Sequence, residues 1–259
     1  MRRITFSFLL FILLIILLLP GCHFQYSSSQ ELWKSKVIRV IDGDTIQIEN
    51  GEKIRLLHIN ANERGEACYE EAKERLEELI FNRTVLLKED KEDKDKYGRL
   101  LRFIYLNETN VNLLLVQEGL ATAYIILPNT KYKEEFFEAE GKAVKERKGC
   151  LWKKDSKYEG CISIEKIAKC SEGDFIVLRN NCKDINLEGW LPRDQSRARA
   201  EFEGNFEANS TLKITREEWK SNHKCIWYDY SDAIFLFDDQ GALVLYYSCL
   251  LYTSPSPRD

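Results

Sequence analysis

Hydrophobic and polar positions fall into three regimes along the chain. From Ile4 to Gly21 no residue is charged, and Phe6–Leu19 is an apolar run behind Arg2 and Arg3. From Val37 the pattern shortens to near-alternating runs that predict strands at Val37–Ile41, Thr45–Ile48 and Lys53–Ile59, with Asn50-Gly51 as a hairpin turn. Glu66–Phe81 sets Ala72, Leu76, Leu79 and Ile80 at helical spacing among charges. Val85–Leu87 and Leu100–Tyr105 return to strand, flanking the charged loop Glu89–Gly98, and Asn112–Ala123 and Glu134–Lys148 read as helices. Three strands, a helix, two strands and two helices form a compact α+β order. A charged stretch around Lys153–Gly160 marks a boundary. Beyond it come short β-rich runs at Phe175–Leu178, Trp190–Leu191, Thr211–Ile214, Ala233–Phe237 and Ala242–Tyr247, the last two joined by a turn at Asp238–Gly241. No long helical signal occurs there, which predicts a β-sandwich with Trp190 in its core.

The two ends change the picture of compartment and extent. Phe6–Leu19 fits the apolar region of a signal peptide and falls short of the roughly 20 residues a spanning helix needs. Leu19-Pro20-Gly21-Cys22 resembles the lipobox of bacterial lipoproteins. That resemblance implies a signal peptide at 1–21, lipidation of Cys22 and a tether over 22–32, with Ser27–Gln30 as its polar part. Pro20 is an unusual residue within such a box, so an uncleaved membrane anchor stays open as the alternative. Either arrangement puts the body of the chain outside the cytoplasmic membrane. At the other end, residues 249–259 resemble the translation of a sequencing adapter, which implies that the native sequence runs on past Ser248 in another form.

Composition enters last. With 259 residues, 44% hydrophobic and 31% charged, the chain suits one large domain or two ordinary ones and is neither disordered nor multi-spanning. The net charge of −4 becomes −6 once Arg2, Arg3, Arg258 and Asp259 are set aside, which excludes a wholly basic nucleic-acid coat. Eight cysteines reduce to six without Cys22 and Cys249: Cys68, Cys150, Cys161, Cys170, Cys182 and Cys225. Outside the membrane these suggest up to three disulfides. Cys150 with Cys161 and Cys170 with Cys182 are close in sequence, though all fifteen connectivities remain open. The absence of any Cys-x-x-Cys gives a zinc ribbon or a thioredoxin-like site little support.

Candidate chemistry sits in the first half. Asp42 and Asp44 flank a glycine and can bring hard oxygen ligands to one cation, although Asp-Gly alone reads as an ordinary turn. Arg55 and Arg99 offer planar, permanently charged forks for phosphate oxygens, and Glu63 follows the third strand where it can activate water. Singly, each reads more readily as a solvated charge than as a functional group. The lysines and arginines between Lys131 and Lys154 alternate with glutamates and read as a solvated face.

Four segments in series carry a family resemblance: Val40–Ile46, Ile54–Glu63, Asp95–Arg99 and Glu118–Ala121. Together they resemble the staphylococcal-nuclease (thermonuclease) family over roughly Val37 to Trp152, so residues 33–152 are expected to form its five-stranded OB-fold barrel with three helices. The resemblance implies a calcium-dependent nuclease that hydrolyses phosphodiester bonds of DNA and possible RNA substrates with low sequence specificity, breaking the 5′ P–O bond and leaving 3′-phosphates. It makes Asp44 a calcium ligand, with Asp42 beside it. Arg55 and Arg99 become the phosphate-binding arginines and Glu63 the general base. Lys96 and Tyr97 lie near the nucleotide's terminal phosphate, and Tyr124 beside base and phosphate after a one-residue deletion. The family's second calcium carboxylate falls at Asn60, and its usual proline before the glutamate falls at Asn62. Asn60 can coordinate calcium only through a neutral oxygen, which keeps a non-catalytic nucleic-acid-binding module in play as the alternative. His58 reads as a barrel or surface residue, not a base. Gly173–Asn180, Ile185–Trp190 and Asp232–Val244 resemble a lamin-tail domain, implying an immunoglobulin-like sandwich over 161–248 whose partner the sequence does not identify. A monomer is expected.

Overall fold

The computed structural model describes residues 33–153, 155–168, 170–220 and 233–248. The signal segment 1–21, the Cys22 lipidation site, the tether, Cys225 and the tail 249–259 lie outside the described residues. The described residues fall within one compact unit.

The first half is a closed barrel. Its strands are β1 (Trp33–Asp42), β2 (Thr45–Ile48), β3 (Lys53–Leu56), β5 (Thr84–Lys88) and β6 (Leu100–Leu106). They pair in the order β3-β2-β1-β5-β6, with the two-residue β7 (Thr109–Asn110) beyond β6, and β3 closes the ring by running parallel to β6. One long strand serves two neighbours: β1 pairs with β5 through Trp33–Lys36 and with β2 through Val37–Asp42. Register shifts between Val37 and Arg39 and between Val40 and Asp42 accompany that handover, as bulges do where a sheet bends. The interior is filled by Ile46, Ile48, Ile54, Leu56 and Phe103 from the strands. Leu76 and Ile80 of α1 (Tyr69–Ile80), Leu115 of α2 (Val111–Gln117) and Phe136 of α3 (Lys133–Lys145) close over it.

Two boundaries differ from the sequence reading. The strand expected over Lys53–Ile59 breaks at Leu57-His58, because His58 takes a left-handed φ of 65°. β4 (Ile59–Asn60) then turns away to pair with β8 (Thr122–Ala123). His58 is buried, its ring edge-on to Phe103 and Phe136 and its Nε2 2.7 Å from the Lys131 carbonyl, so it is a core residue whose pKa burial lowers from the ordinary histidine value. The helix expected over Asn112–Ala123 stops at Gln117. Gly119 follows with φ 68° where a Cβ would meet the Lys148 carbonyl at 2.1 Å, and the chain re-enters a strand.

After the short α4 (Gly149–Trp152) the described residues of the second half form strands and turns, with one 3-10 turn at Cys170–Glu172. β9 (Ile162–Ala168), β10 (Phe175–Asn180) and β15 (Thr211–Thr215) form one sheet, in the order β15-β10-β9. β12 (Leu191–Asp194), β13 (Arg199–Ala200), β16 (Trp219–Lys220), β17 (Ala233–Phe237) and β18 (Leu243–Ser248) form another, and β11 (Ile185–Asn186) pairs with β14 (Asn205–Phe206). Ile176, Leu178 and Ile214 of the first sheet share one core with Ile234, Leu236 and Val244 of the second, and Trp190 lies within it.

The two halves also share a core. Ala233, Phe235, Phe237 and Leu243 pack with Cys68, Ala143, Leu151 and Trp152. Strand β17 therefore sends alternate side chains into two different interiors. Its unbroken apolar run is the signature of a strand buried on both faces. Arg193 lies over Phe235 and Phe237 at 5.0 and 5.1 Å. The Ser156 hydroxyl donates to Asp238 at 2.6 Å.

The cysteines pair differently from the neighbours-in-sequence expectation. Cys68 bonds Cys150, tying the start of α1 to α4, and Cys161 bonds Cys182, tying the start of β9 to the chain just after β10. Spatial proximity set by the fold, not the short loops 150–161 and 170–182, decides the pairs; Cys170 is also disulfide-bonded. The charged face around α3 is solvated as read: Lys142 and Lys148 pair with Glu146, and Arg147 with Glu159.

Candidate active site

The site grows from the β1–β2 turn. Gly43 sits between the two aspartates because nothing larger fits: a Cβ there would come within 2.7 Å of Ala61 Cβ and 2.9 Å of Ala72 Cβ. The tight turn lets the Asp44 N–H donate to Asp42 Oδ1 at 2.9 Å. Asp44 is buried, and its oxygens accept from the Thr45 hydroxyl (2.9 Å) and the Ala61 N–H (3.0 Å).

Arg55, from β3, pairs with this carboxylate: its Nη2 lies 3.1 Å from Asp44 Oδ2 and donates to Asn60 Oδ1 at 3.2 Å. Burial opposes the charged form of Asp44. Arg55 and Arg197, helped by the Ala61 N–H and the Thr45 hydroxyl, outweigh it and hold this carboxyl below the usual carboxylate range. Asp42 goes the other way, as burial and then repulsion from Asp44 push it up to about 6. Burial lowers Arg55 from the ordinary arginine value, against the attraction of Asp44.

Arg99 enters from the loop before β6. Asp95 aligns it, accepting its Nε at 2.7 Å and its backbone N–H at 3.0 Å. Arg99 Nη1 reaches the Thr45 hydroxyl at 3.3 Å, which joins it to the Asp44 network. The expected residues Asp42, Asp44, Arg55, Asn60 and Arg99 thus converge. Glu63 stands at their rim, exposed in the loop after β4, its backbone N–H accepted by Glu66 at 2.9 Å. Lys96 and Tyr97 occupy the same loop as Arg99. Tyr97 is 72% exposed, with the Lys96 ammonium and the Arg99 guanidinium 5.1 and 5.6 Å from its ring centre. Tyr124 is half-buried at the end of β8, its N–H donating to the His58 carbonyl at 2.8 Å.

The sequence reading missed contributions from the second half. The turn between β12 and β13 reaches into the same place. Arg197 hydrogen-bonds Glu63 and the Ala61 carbonyl, and its Nη2 is 3.6 Å from Asp44 Oδ2. The Gln195 side chain donates to the Ala123 carbonyl, and the Gln195 carbonyl accepts from Asn60 Nδ2 at 3.0 Å. Arg193, buried, donates to Asn62 Oδ1 at 2.8 Å and pairs with Glu66 at 3.2 Å. The available signal was the run Arg193–Arg199, three arginines within seven residues of an otherwise acidic half.

Asp42, Asp44 and the Asn60 oxygen supply hard donors suited to a cation such as calcium, with two formal negative charges. Among the described residues no group of three or more His, Cys, Asp or Glu side chains gathers as a metal site, so the amide of Asn60 is needed to complete even this set.

A closed five-stranded barrel capped by helices, with arginines and a glutamate around paired aspartates, is an OB-fold that gathers the groups phosphodiester hydrolysis needs. Residues 53–154 match the family described as Staphylococcal nuclease homologue, and the chain belongs to that family. It is 36% identical over 155 residues to the SPbeta prophage-derived endonuclease YokF of Bacillus subtilis, covering 54% of this chain and 52% of that protein. It is 36% identical to the thermonuclease of Staphylococcus hyicus (45% of this chain, 74% of that one). It is 32% identical to the thermonuclease of Staphylococcus intermedius (57% and 96%). The match thus spans about half of the Bacillus relative's length and nearly all of the last.

Proposed function

We propose that the chain is a calcium-dependent nuclease cutting DNA, and RNA where it is accessible, with little sequence preference. The observation that carries this is the single network joining Arg55 to Asp44 directly and Arg99 to it through Thr45, with Glu63 at its edge. Asp42, Asp44 and Asn60 are the residues that would hold calcium, which when bound supplies positive charge against a phosphate oxygen. Arg55 and Arg99 then donate to the remaining phosphate oxygens, where charge builds as the phosphorus becomes crowded. Glu63 takes a proton from the attacking water. Tyr97, exposed beside Arg99, offers a ring on which a base stacks without being read, consistent with low specificity. By family resemblance the products carry 3′-phosphates.

DNA incubated with the purified chain, with calcium or with chelator, tests this. Cleavage should require calcium and fall roughly 10²–10⁴-fold in Glu63→Gln, the usual contribution of a general base. Equal cleavage by that variant would sink the assignment. Nucleic-acid binding without any cleavage would favour the non-catalytic module.

We propose in addition that the protein works outside the cytoplasmic membrane, anchored through Cys22. The apolar segment 4–21 supports this, as do the disulfides, which persist in oxidising compartments. Incorporation of labelled fatty acid that survives Cys22→Ser would overturn the anchor. The second half is proposed to be a lamin-tail-like sandwich, on the resemblance together with its two sheets around one core.

A further inference from the structure

We propose that Arg197 is a built-in occupant of the cation cradle, so that the second half of the chain restrains calcium loading of the first. The inference rests on the nuclease reading and concerns regulation of the same site.

The geometry is that of a competitor. One guanidinium spans the general-base candidate and the metal carboxylate, holding Glu63 through Nη1 and approaching Asp44 to 3.6 Å through Nη2, which also takes the Ala61 carbonyl. All three partners are oxygens, and that of Asp44 belongs to the donor set for a hard cation, so the permanently charged guanidinium sets its positive charge against a carboxylate that set needs. A surface arginine would make no such set; this side chain is 19% exposed.

Local hydrogen bonds shape the turn that carries Arg197. Asp194 accepts the backbone N–H of Ala198 (2.9 Å) and the Ser196 hydroxyl (2.8 Å) through its carboxylate, shaping a tight loop. Arg197 itself adopts φ 72°, a left-handed conformation in which glycine or asparagine sits with less strain. From that position the long side chain reaches both Glu63 and Asp44. Gln195 and Arg193 pin the turn on either side, onto Asn60, Ala123, Asn62 and Glu66. The backbone is therefore fixed, and the guanidinium alone has to swing clear.

Asn60 fits the same scheme. Its amide splits two duties, Oδ1 accepting from Arg55 and Nδ2 donating to the Gln195 carbonyl. A carboxylate there would face that carbonyl with no hydrogen to offer. The neutral residue at the family's second carboxylate position is thus explained by the turn docked on it.

Calcium titration by calorimetry on the full chain, its Arg197→Ala variant and an Arg199→Ala variant tests the proposal. Arg199 lies on the same hairpin and loses the same charge, but it pairs with Glu66 outside the cradle. Removing the competitor should tighten calcium binding roughly tenfold or more in Arg197→Ala, while Arg199→Ala changes it less than about twofold, as a screened surface charge does. Equal tightening in both variants, or none in Arg197→Ala, would overturn the plug and leave the nuclease standing if the parent still binds calcium and cleaves. No calcium binding by any of the three would remove both readings.

Discussion

At the scale of single residues, the site depends on groups whose behaviour comes from burial. Gly43→Ala has no flexible neighbour to displace, only Ala61 and the helix residue Ala72. It should lower stability by about 1–3 kcal/mol through overpacking and weaken cleavage by moving both aspartates, read as a lowered Tm together with reduced activity. Glu140 is a second buried case. Lying against Ala123 and Tyr246, it is pushed up to about 7, chiefly by burial, although the Ala123 N–H and the Tyr246 hydroxyl favour its charged form. Because its folded value lies above the ordinary 4.5, the folded chain keeps a proton that the unfolded chain has released between those values. Stability should therefore decline as pH rises from about 4.5 to about 7, by on the order of 3 kcal/mol, and then level off. Glu140→Gln keeps an acceptor for Ala123 and should flatten this dependence, measured by urea unfolding at pH 5 and pH 8. The aspartates, arginines and Glu63 were picked out because they sit in motifs that resemble one family in series, although Arg99 meets Thr45 across 54 residues. Arg197 was not: it lies 134 residues from Glu63, and only the folded second half brings them together.

At the scale of elements, a strand with alternating burial reads cleanly, as β5 did. β3 and β4 read as one strand because nothing in Leu57-His58 signals a left-handed turn; tertiary packing of His58 against Phe103 and Phe136 imposes it. The short pairings β11, β13 and β14 span two residues each, too few to show a period. Disulfide connectivity was illegible for the same reason as Arg197. Cys68–Cys150 closes a separation of 82 residues, so replacing both by serine should cost up to about 4 kcal/mol on chain-entropy grounds, seen as a lower urea midpoint. A loss under about 1 kcal/mol would mean that α1 and α4 hold together without the bond.

At the scale of the whole molecule, the boundary drawn at 153–160 separates two sequence patterns but not two independent bodies. Phe235 and Phe237 of the second half share a core with Trp152 and Leu151 of the first. Phe235→Ala should cost about 3–5 kcal/mol and destabilise both halves together, giving one calorimetric transition shifted down; two separated transitions would contradict the shared core. The double burial of β17 has a further consequence, in time. Cys68, Ala143, Leu151 and Trp152 are synthesised well before Ala233, Phe235, Phe237 and Leu243, which cover them. At roughly 5–20 residues per second, the finished barrel waits several seconds with a greasy flank bare, so the newborn chain is most prone to stick to its copies before its last strands arrive.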